Sequence, residues 1–540
     1  MNSFIDQCKA AFNDYQRPII CSVIQWFLMT LFQWDRWYFN YTVENRYLII
    51  AKILFLFTLL AIWIGIAYVL REYKKCNPIV RRGIFIFSMY FTILALLLLV
   101  LWPGTWNWDD IWVLFAIRQY HLNAWQHVLT SMYQMVLLQL LPFPGGIILL
   151  QNLLITVIVS YSVVQLELHV FRKPFFNNQF LDTFLKIVPF LLPPVLMYQY
   201  SGYRIGIYVY LEFLMLVILI TTYKDRIQWS YKKALFVCAL ASLVCTWRSE
   251  ALLYLPALCI VILVFYRKFM GKKMAIFCLV ALLIGFGGIQ HWQKASLGNS
   301  NYEIISTARQ VAVLVRYSDQ SADQQELLTI GKVVDLKAIL DNPKLNGEAL
   351  YWDKKFVKKN YSKQEYHDYL KSIVKLTLKY PSVVFNERMD LFYHGAIVPG
   401  VDNTATARLF DPKSNNRAGV QFKNANWMAN KPVLQNKRKK LINTVADANH
   451  HKRHTVIWSC LVPFMALAAV VFYFIKKRNW LIVILTGAIW AKVGVVILTA
   501  PSGWLMYYLS FYFLGYILLV YSILYFIKQR REKRGIVEHE

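Results

Sequence analysis

Apolar runs of about 17 to 25 residues, each long enough to cross a hydrocarbon core of roughly 30 Å as a helix, recur from Leu48 to Phe526 and leave few soluble folds open to this chain. Only 16% of its 540 residues are charged and 57% are hydrophobic, whereas an ordinary soluble chain carries roughly 25% charged residues. The expected fold is therefore all-α and integral to a membrane. A net charge of +29 raises the question of nucleic acid. Much of the excess sits in short clusters between apolar runs, where positive charge orients membrane helices, so the expected partner is the lipid bilayer and no nucleic acid. The first apolar run begins near Pro18 with no small-residue cleavage site after it, so no cleavable signal peptide is expected.

The spacing predicts spans at 48–70, 83–102, 145–166, 185–200, 203–223, 234–247, 250–266, 274–292, 455–475, 480–500 and 505–526, with 19–34 as a shorter candidate, about 11–12 transmembrane helices in all. Regular alternation puts the basic clusters at 71–82, 172–173, 224–233, 267–273, 476–478 and 528–534 on the cytoplasmic side. Five segments result: 1–82 with one or two extra spans, a transmembrane core over 83–292 with an outer loop at 103–144, an extracytoplasmic loop domain over 293–454, C-terminal spans over 455–527, and a basic cytoplasmic tail over 528–540. The loop domain carries helical patterns at 305–316 and 363–378. Its basic stretches "NKRKK" and "HHKRH" argue for the opposite side, but long loops translocate largely regardless of charge. The eight cysteines leave the large polar segment empty, which excludes a disulfide framework there, and no Cys/His spacing suggests zinc.

The outer loop opens with "LWPGTWNWDDIWVLF". Asp109 and Asp110 fit the first turn of a helix running to His121, where carboxylates meet free N–H groups and the positive end of the macrodipole. A second helix from Ala124 carries His127, Thr130, Ser131 and Gln134 as a polar stripe. Both are expected to lie at the membrane surface. Helix capping explains the two carboxylates without any function. The sharper reading makes Asp109 a general base, its proton affinity raised by low-dielectric surroundings and an adjacent like charge.

Neither G-x-x-x-x-G-K-[ST] nor a strand-borne G-x-G-x-x-G occurs, and no nucleotide pool exists outside the cytoplasm, so an activated donor would arrive attached to a lipid. A sugar on a polyprenyl phosphate fits, with Arg204 and Arg248 at outer span ends to stabilise the leaving phosphate. Snorkelling to the interface is the alternative role for each arginine. The spacing of Arg248 and Glu250, two apart on a helix, predicts that they do not pair, leaving Arg248 for phosphate. Glu250, His127, Arg309 and Arg388 complete the candidate substrate-binding set, although Glu387 and Arg388 in "FNERMDLF" read equally well as a structural ion pair. His450, His451 and His454 form no ligand spacing.

The motifs "WPGTWNWDDIW", "WRSEALLYLP", "STARQVAVLVR" and "KYPSVVFNERMDLF" resemble a family of polytopic membrane proteins from Gram-positive bacteria, which in turn resemble C-type (GT-C) membrane glycosyltransferases. The similarity covers Gly83 to about Phe526. It implies a bacterial cell-membrane enzyme that takes sugar from a polyprenyl-phosphate donor, delivers it to a cell-envelope acceptor such as a glycan or teichoic acid, and inverts the anomeric carbon. On that match Asp109 takes the base position and Asp110 the supporting one. The chain also departs from the pattern: "YSGYRIGIYVYLEFL" offers Arg204 and no Asp, with Glu212 well inside the span. The departure weakens the case for a divalent metal between two outer loops and puts arginine in its place. The rival class, a transporter or flippase of a lipid-linked or anionic substrate, should show internal repeats and ionisable residues near the midplane. No repeat is evident, and the charges are expected to gather at the outer rim.

Overall fold

The computed structural model describes residues 2–41, 45–106, 108–172, 174–298, 301–342, 347–352, 355–358, 360–398, 432–450 and 455–533. His451, His454 and the tail from 534 onward lie outside the described residues. Within them the regular structure is helical, mostly α with short 3₁₀ and π segments, with two isolated bridges and no strand.

α1 (Asn2–Leu31) and α2 (Leu48–Lys74) form an antiparallel hairpin. Its contacts join residues 15–26 of α1 to residues 52–71 of α2: Trp26 Nε1 donates to Lys52 O, Trp63 Nε1 to Gln25, Ser22 to Leu59 O and Arg71 to Tyr15. α3 (Pro78–Leu101) starts on Asn77, whose side chain accepts from Ile79 N (3.0 Å), with proline in the first turn where its missing N–H costs nothing. The loop that follows holds α4 (Trp108–Ile117) and α5 (Val128–Leu140), and α6 (Pro144–Phe171) re-enters the bundle.

α7 (Gln179–Leu191) and α8 (Pro193–Gln199) meet at 70°. The bend falls where Leu192 is extended ahead of Pro193 and Pro194, as a residue before proline is steered out of the helical region. α9 (Arg204–Lys224) is buried along nearly its whole length and packs on α6, α8 and then α10 (Tyr231–Trp247). α11 (Ser249–Met270) and α12 (Lys272–Leu297) complete this half.

The loop domain comprises α13 (Ile305–Tyr317), α14 (Gln324–Ile330), α15 (Leu336–Asp341), α16 (Gly347–Trp352), α17 (Lys363–Lys379) and α18 (Pro381–Phe392). It has its own apolar core of Val311, Leu314, Ile330, Phe356, Tyr369 and Leu376, among others, separate from that of the bundle. Ser362 and Glu365 cap α17 reciprocally, which fixes its start. α19 (Gln435–His450) leads back through α20 (Leu461–Lys476), α21 (Trp480–Thr499) and α22 (Leu509–Lys533).

Among the described helices, eight are long and apolar enough to cross a bilayer: α2, α3, α6, α9, α11, α12, α21 and α22. The chain is thus a multi-pass membrane protein. The expected 11–12 spans are corrected in kind: 185–200 is the bent α7–α8 pair, which makes a ninth if counted as one span. α10 and α20, with 17 and 16 residues, reach only about 25 Å each at 1.5 Å per residue. α2 buries only Ala51, Lys52, Phe55 and Leu59, leaving Ile49, Phe57 and Ile66 on an exposed apolar face suited to lipid.

With the background cysteines removed, a single cysteine at the exposed Lys371 should label with a membrane-impermeant reagent while one at the exposed Arg226 should stay protected. The reverse pattern would invert the whole topology.

Candidate functional site

Two loops meet beyond the ends of α3 and α8. Gly104, at φ +106, turns the chain so tightly that a Cβ there would stand 2.8 Å from Tyr200 O, and Thr105 N donates to that same carbonyl (2.7 Å). Gly202 lies against the Trp106 ring and Asp110 Cβ, where any larger residue would collide at 2.4 Å. Glycine at both positions lets the loops touch. The contact brings the first turn of α4, with Asp109 and Asp110, beside the first turn of α9, with Arg204.

Asp109 is half-buried and shares a hydrogen bond with the Gln126 side chain. Burial lifts its carboxyl above the usual carboxylate range, opposed by the Arg204 guanidinium and by Gln126. Asp110 is 2% exposed, beneath Trp106 and Gly202. His127, on the same short turn as Gln126, is held at φ +74, a backbone region that L residues rarely adopt. Gln293 on α12 fastens that turn, donating to Ala124 O (2.8 Å) and accepting from Val128 N (2.9 Å).

Burial and Arg204 lower His127 to about 3, so its imidazole is neutral. Its Nδ1 accepts from Leu129 N (3.3 Å), which places the proton on Nε2, and Nε2 is buried without a partner. Gln134 donates to Gly202 O (2.9 Å) and keeps a buried, unpartnered Oε1. The structure thus gathers Asp109, Arg204 and His127 around a set of unspent polar atoms. Arg438 on α19 reaches the same loop, donating to Gly104 O (3.0 Å); burial lowers it to about 10, which leaves it charged.

α5 corrects the expectation of a helix lying at the membrane surface. Ten of its thirteen residues are buried, and it packs against α2, α4 and α6. Its polar stripe faces protein: Thr130 donates to Gln126 O and accepts from Trp247 Nε1 (2.9 Å), while Ser131 accepts from Asn123 N (2.9 Å).

Arg248 and Glu250 also depart from expectation. They do pair, Nε to Oε1 at 2.5 Å, because Arg248 leaves α10 in an extended conformation and the chain resumes as a 3₁₀ turn. Helical spacing does not apply there. Both side chains are buried, the guanidinium lies 5.9 Å from the Tyr507 ring, and the pair's electrostatic contacts run to Tyr208 and Lys492.

Lys492 belongs to a second centre, which the sequence reading missed. Its ammonium lies 2.8 Å from Glu212 and donates to Ser510 (2.9 Å), while Tyr254 donates to Glu212 (2.5 Å) and Ser510 also reaches that carboxylate. Glu212 is about 12 Å in from the Arg204 end of α9, and Lys492 about 10 Å in from the Thr499 end of α21. Both are within helices that cross the bilayer. Charge is therefore not confined to the outer rim. The available signal was one carboxylate and one ammonium, each alone in an apolar run.

Arg309 and Arg388 form a third group. Glu387 is shared between Arg309 (2.6 Å) and Arg388, Arg309 also meets Asp390 (2.8 Å), and Arg388 donates to Leu498 O and Ala500 O. Cations on the last carbonyls of a helix are favourable, and this cluster fixes α13 and α18 to the end of α21. Among the described residues no three His, Cys, Asp or Glu side chains stand together as metal ligands would.

The fold and these centres define an all-α, multi-pass membrane protein with a carboxylate–guanidinium–imidazole cluster where the loop after α3 meets the start of α9, and a buried ion-pair network within the bundle. No protein-family model, curated protein or solved structure matches the chain.

Proposed function

We propose that this protein is a GT-C-type glycosyltransferase of a bacterial cell membrane, moving a sugar from a polyprenyl-phosphate donor to a cell-envelope acceptor, a glycopolymer, teichoic acid or lipid, on the outer face. The observation that carries the reading is the convergence of Asp109, Arg204 and neutral His127 in one loop-lined cluster. Asp109 takes the proton from an acceptor hydroxyl as its oxygen attacks the anomeric carbon, and the bond from that carbon to the phosphate oxygen breaks. Arg204 bears the charge gathering on the departing polyprenyl phosphate. The Nε2–H of His127 donates to a sugar or phosphate oxygen.

A second reading has one specific observation in its favour. Ionisable groups inside spans mark substrate and proton pathways, and the Glu212–Lys492 network suits a transporter or flippase of a lipid-linked anion. Proteoliposomes loaded with a radiolabelled polyprenyl-phosphate sugar separate the two. Transfer predicts that free polyprenyl phosphate accumulates as label enters an added acceptor glycan. Movement of intact labelled lipid between leaflets, with no cleavage, would sink the enzyme reading in favour of the transporter.

A further inference from the structure

At the end of α1 the chain makes a short turn over Trp34–Trp37 that sends Asp35 inward and Arg36 and Trp37 outward. Asp35 is 1% exposed and fully engaged, with Lys52 at 2.7 Å, Tyr41 at 2.8 Å, and Tyr120. The segment then lies on the far end of α4: Tyr38 donates to Leu114 O (2.7 Å) and Asn40 N to Arg118 O (2.8 Å). This docking sets Arg36 and Arg118, far apart in sequence, on the walls of one open cavity of about 510 Å³, with Phe32, Gln33 and Trp37 as the rest of its lining.

Among the described residues the cavity gathers positive charge without an answering carboxylate. Arg36 rests over the Tyr41 ring at 5.4 Å, and Arg118 keeps a buried Nε with no hydrogen-bond partner. Among the described residues neither guanidinium forms an ion pair, and the neighbouring acid, Asp35, is spent on Lys52 and two tyrosines. Two guanidiniums on one concave surface repel each other unless an anion sits between them, and their planar forks match phosphate oxygens two at a time.

The surroundings indicate where that phosphate comes from. Phe32, Trp34 and Trp37 are 76%, 42% and 63% exposed at the end of an apolar helix, the position at which aromatic side chains lie at headgroup depth. We propose that the Arg36–Arg118 cavity binds the phosphodiester of an anionic phospholipid headgroup. A zwitterionic headgroup carries its own cation beside the phosphate and has less to gain. The site is separate from the Asp109 cluster, which lies about 13 Å away along α4, and does not depend on the function proposed for that cluster.

Native mass spectrometry of the full-length protein in detergent, titrated with phosphatidylglycerol, phosphatidylcholine or inorganic phosphate, tests the assignment. The wild type should retain phosphatidylglycerol in preference to phosphatidylcholine. Arg36→Gln and Arg118→Gln should each weaken that retention by about tenfold or more, the loss typical of a charged hydrogen bond. Arg36 is exposed, so Arg36→Gln is expected to keep the melting temperature and remains informative if Arg118→Gln unfolds. Unchanged phosphatidylglycerol retention in Arg36→Gln would overturn the site. Inorganic phosphate that displaces the lipid at equal concentration would overturn the lipid as its occupant.

Discussion

Asp109→Asn should lower sugar transfer by about a hundred- to ten-thousandfold, the usual loss with a general base, while the protein still inserts and unfolds at its normal temperature. The substitution keeps size and hydrogen bonding to Gln126 and removes only the ability to take a proton. Asp110→Asn should cost less in rate, because that carboxylate is enclosed beneath Trp106 and Gly202, away from any incoming hydroxyl. The pH profile gives an independent reading. Burial raises Asp109, so wild-type activity should climb with pH through a midpoint above the ordinary carboxylate range, as the base loses its proton. Arg204→Gln removes a neighbouring positive charge and should move that midpoint higher still. A profile unaffected by Arg204→Gln, or near-normal turnover in Asp109→Asn, would mean that Asp109 is not the base.

The Glu212–Lys492 pair supplies the largest expected effect on stability. Lys492→Met leaves the Glu212 carboxyl buried with only hydroxyl partners, and breaking a buried pair from one side typically costs about 3–5 kcal/mol. Glu212→Gln with Lys492→Met removes both charges and should recover most of that loss, since a buried pair is often no more stable than an uncharged replacement. Thermal unfolding of the single and double variants measures this directly. The double variant also separates the two functional readings: a transporter that uses the pair stops moving its substrate although the protein is stable, whereas a transferase centred on Asp109 keeps its rate. A single variant as stable as wild type would show that the pair is not buried in the folded protein.

Local signals located two helix starts correctly. The aspartate pair beside a Pro-Gly turn marks the start of α4, and Arg204 opens α9, because helix ends are set by neighbouring residues. The failures share a cause. Helical spacing keeps Arg248 and Glu250 apart, yet the backbone is extended at Arg248, and the pair forms for that reason. The stripe on α5 resembled a wet face because nothing in the residues themselves says that Trp247, Gly202 O and Asn123 N will answer it.

Hydropathy alone determined an all-α membrane protein and most of its spans, because a lipid solvent acts on each segment by its length and composition, whatever its neighbours. Tertiary structure alone decided which charges meet. Lys492 answers a carboxylate 280 residues earlier, Arg118 joins Arg36 because residues 33–41 fold back onto α4, and Asp109 comes near Arg204 through two glycines that let their loops touch. Such pairings depend on helix packing across the bundle. For Glu212 and Lys492 the cost of leaving a buried charge alone holds the pair together, and that cost is incurred only once the helices have assembled.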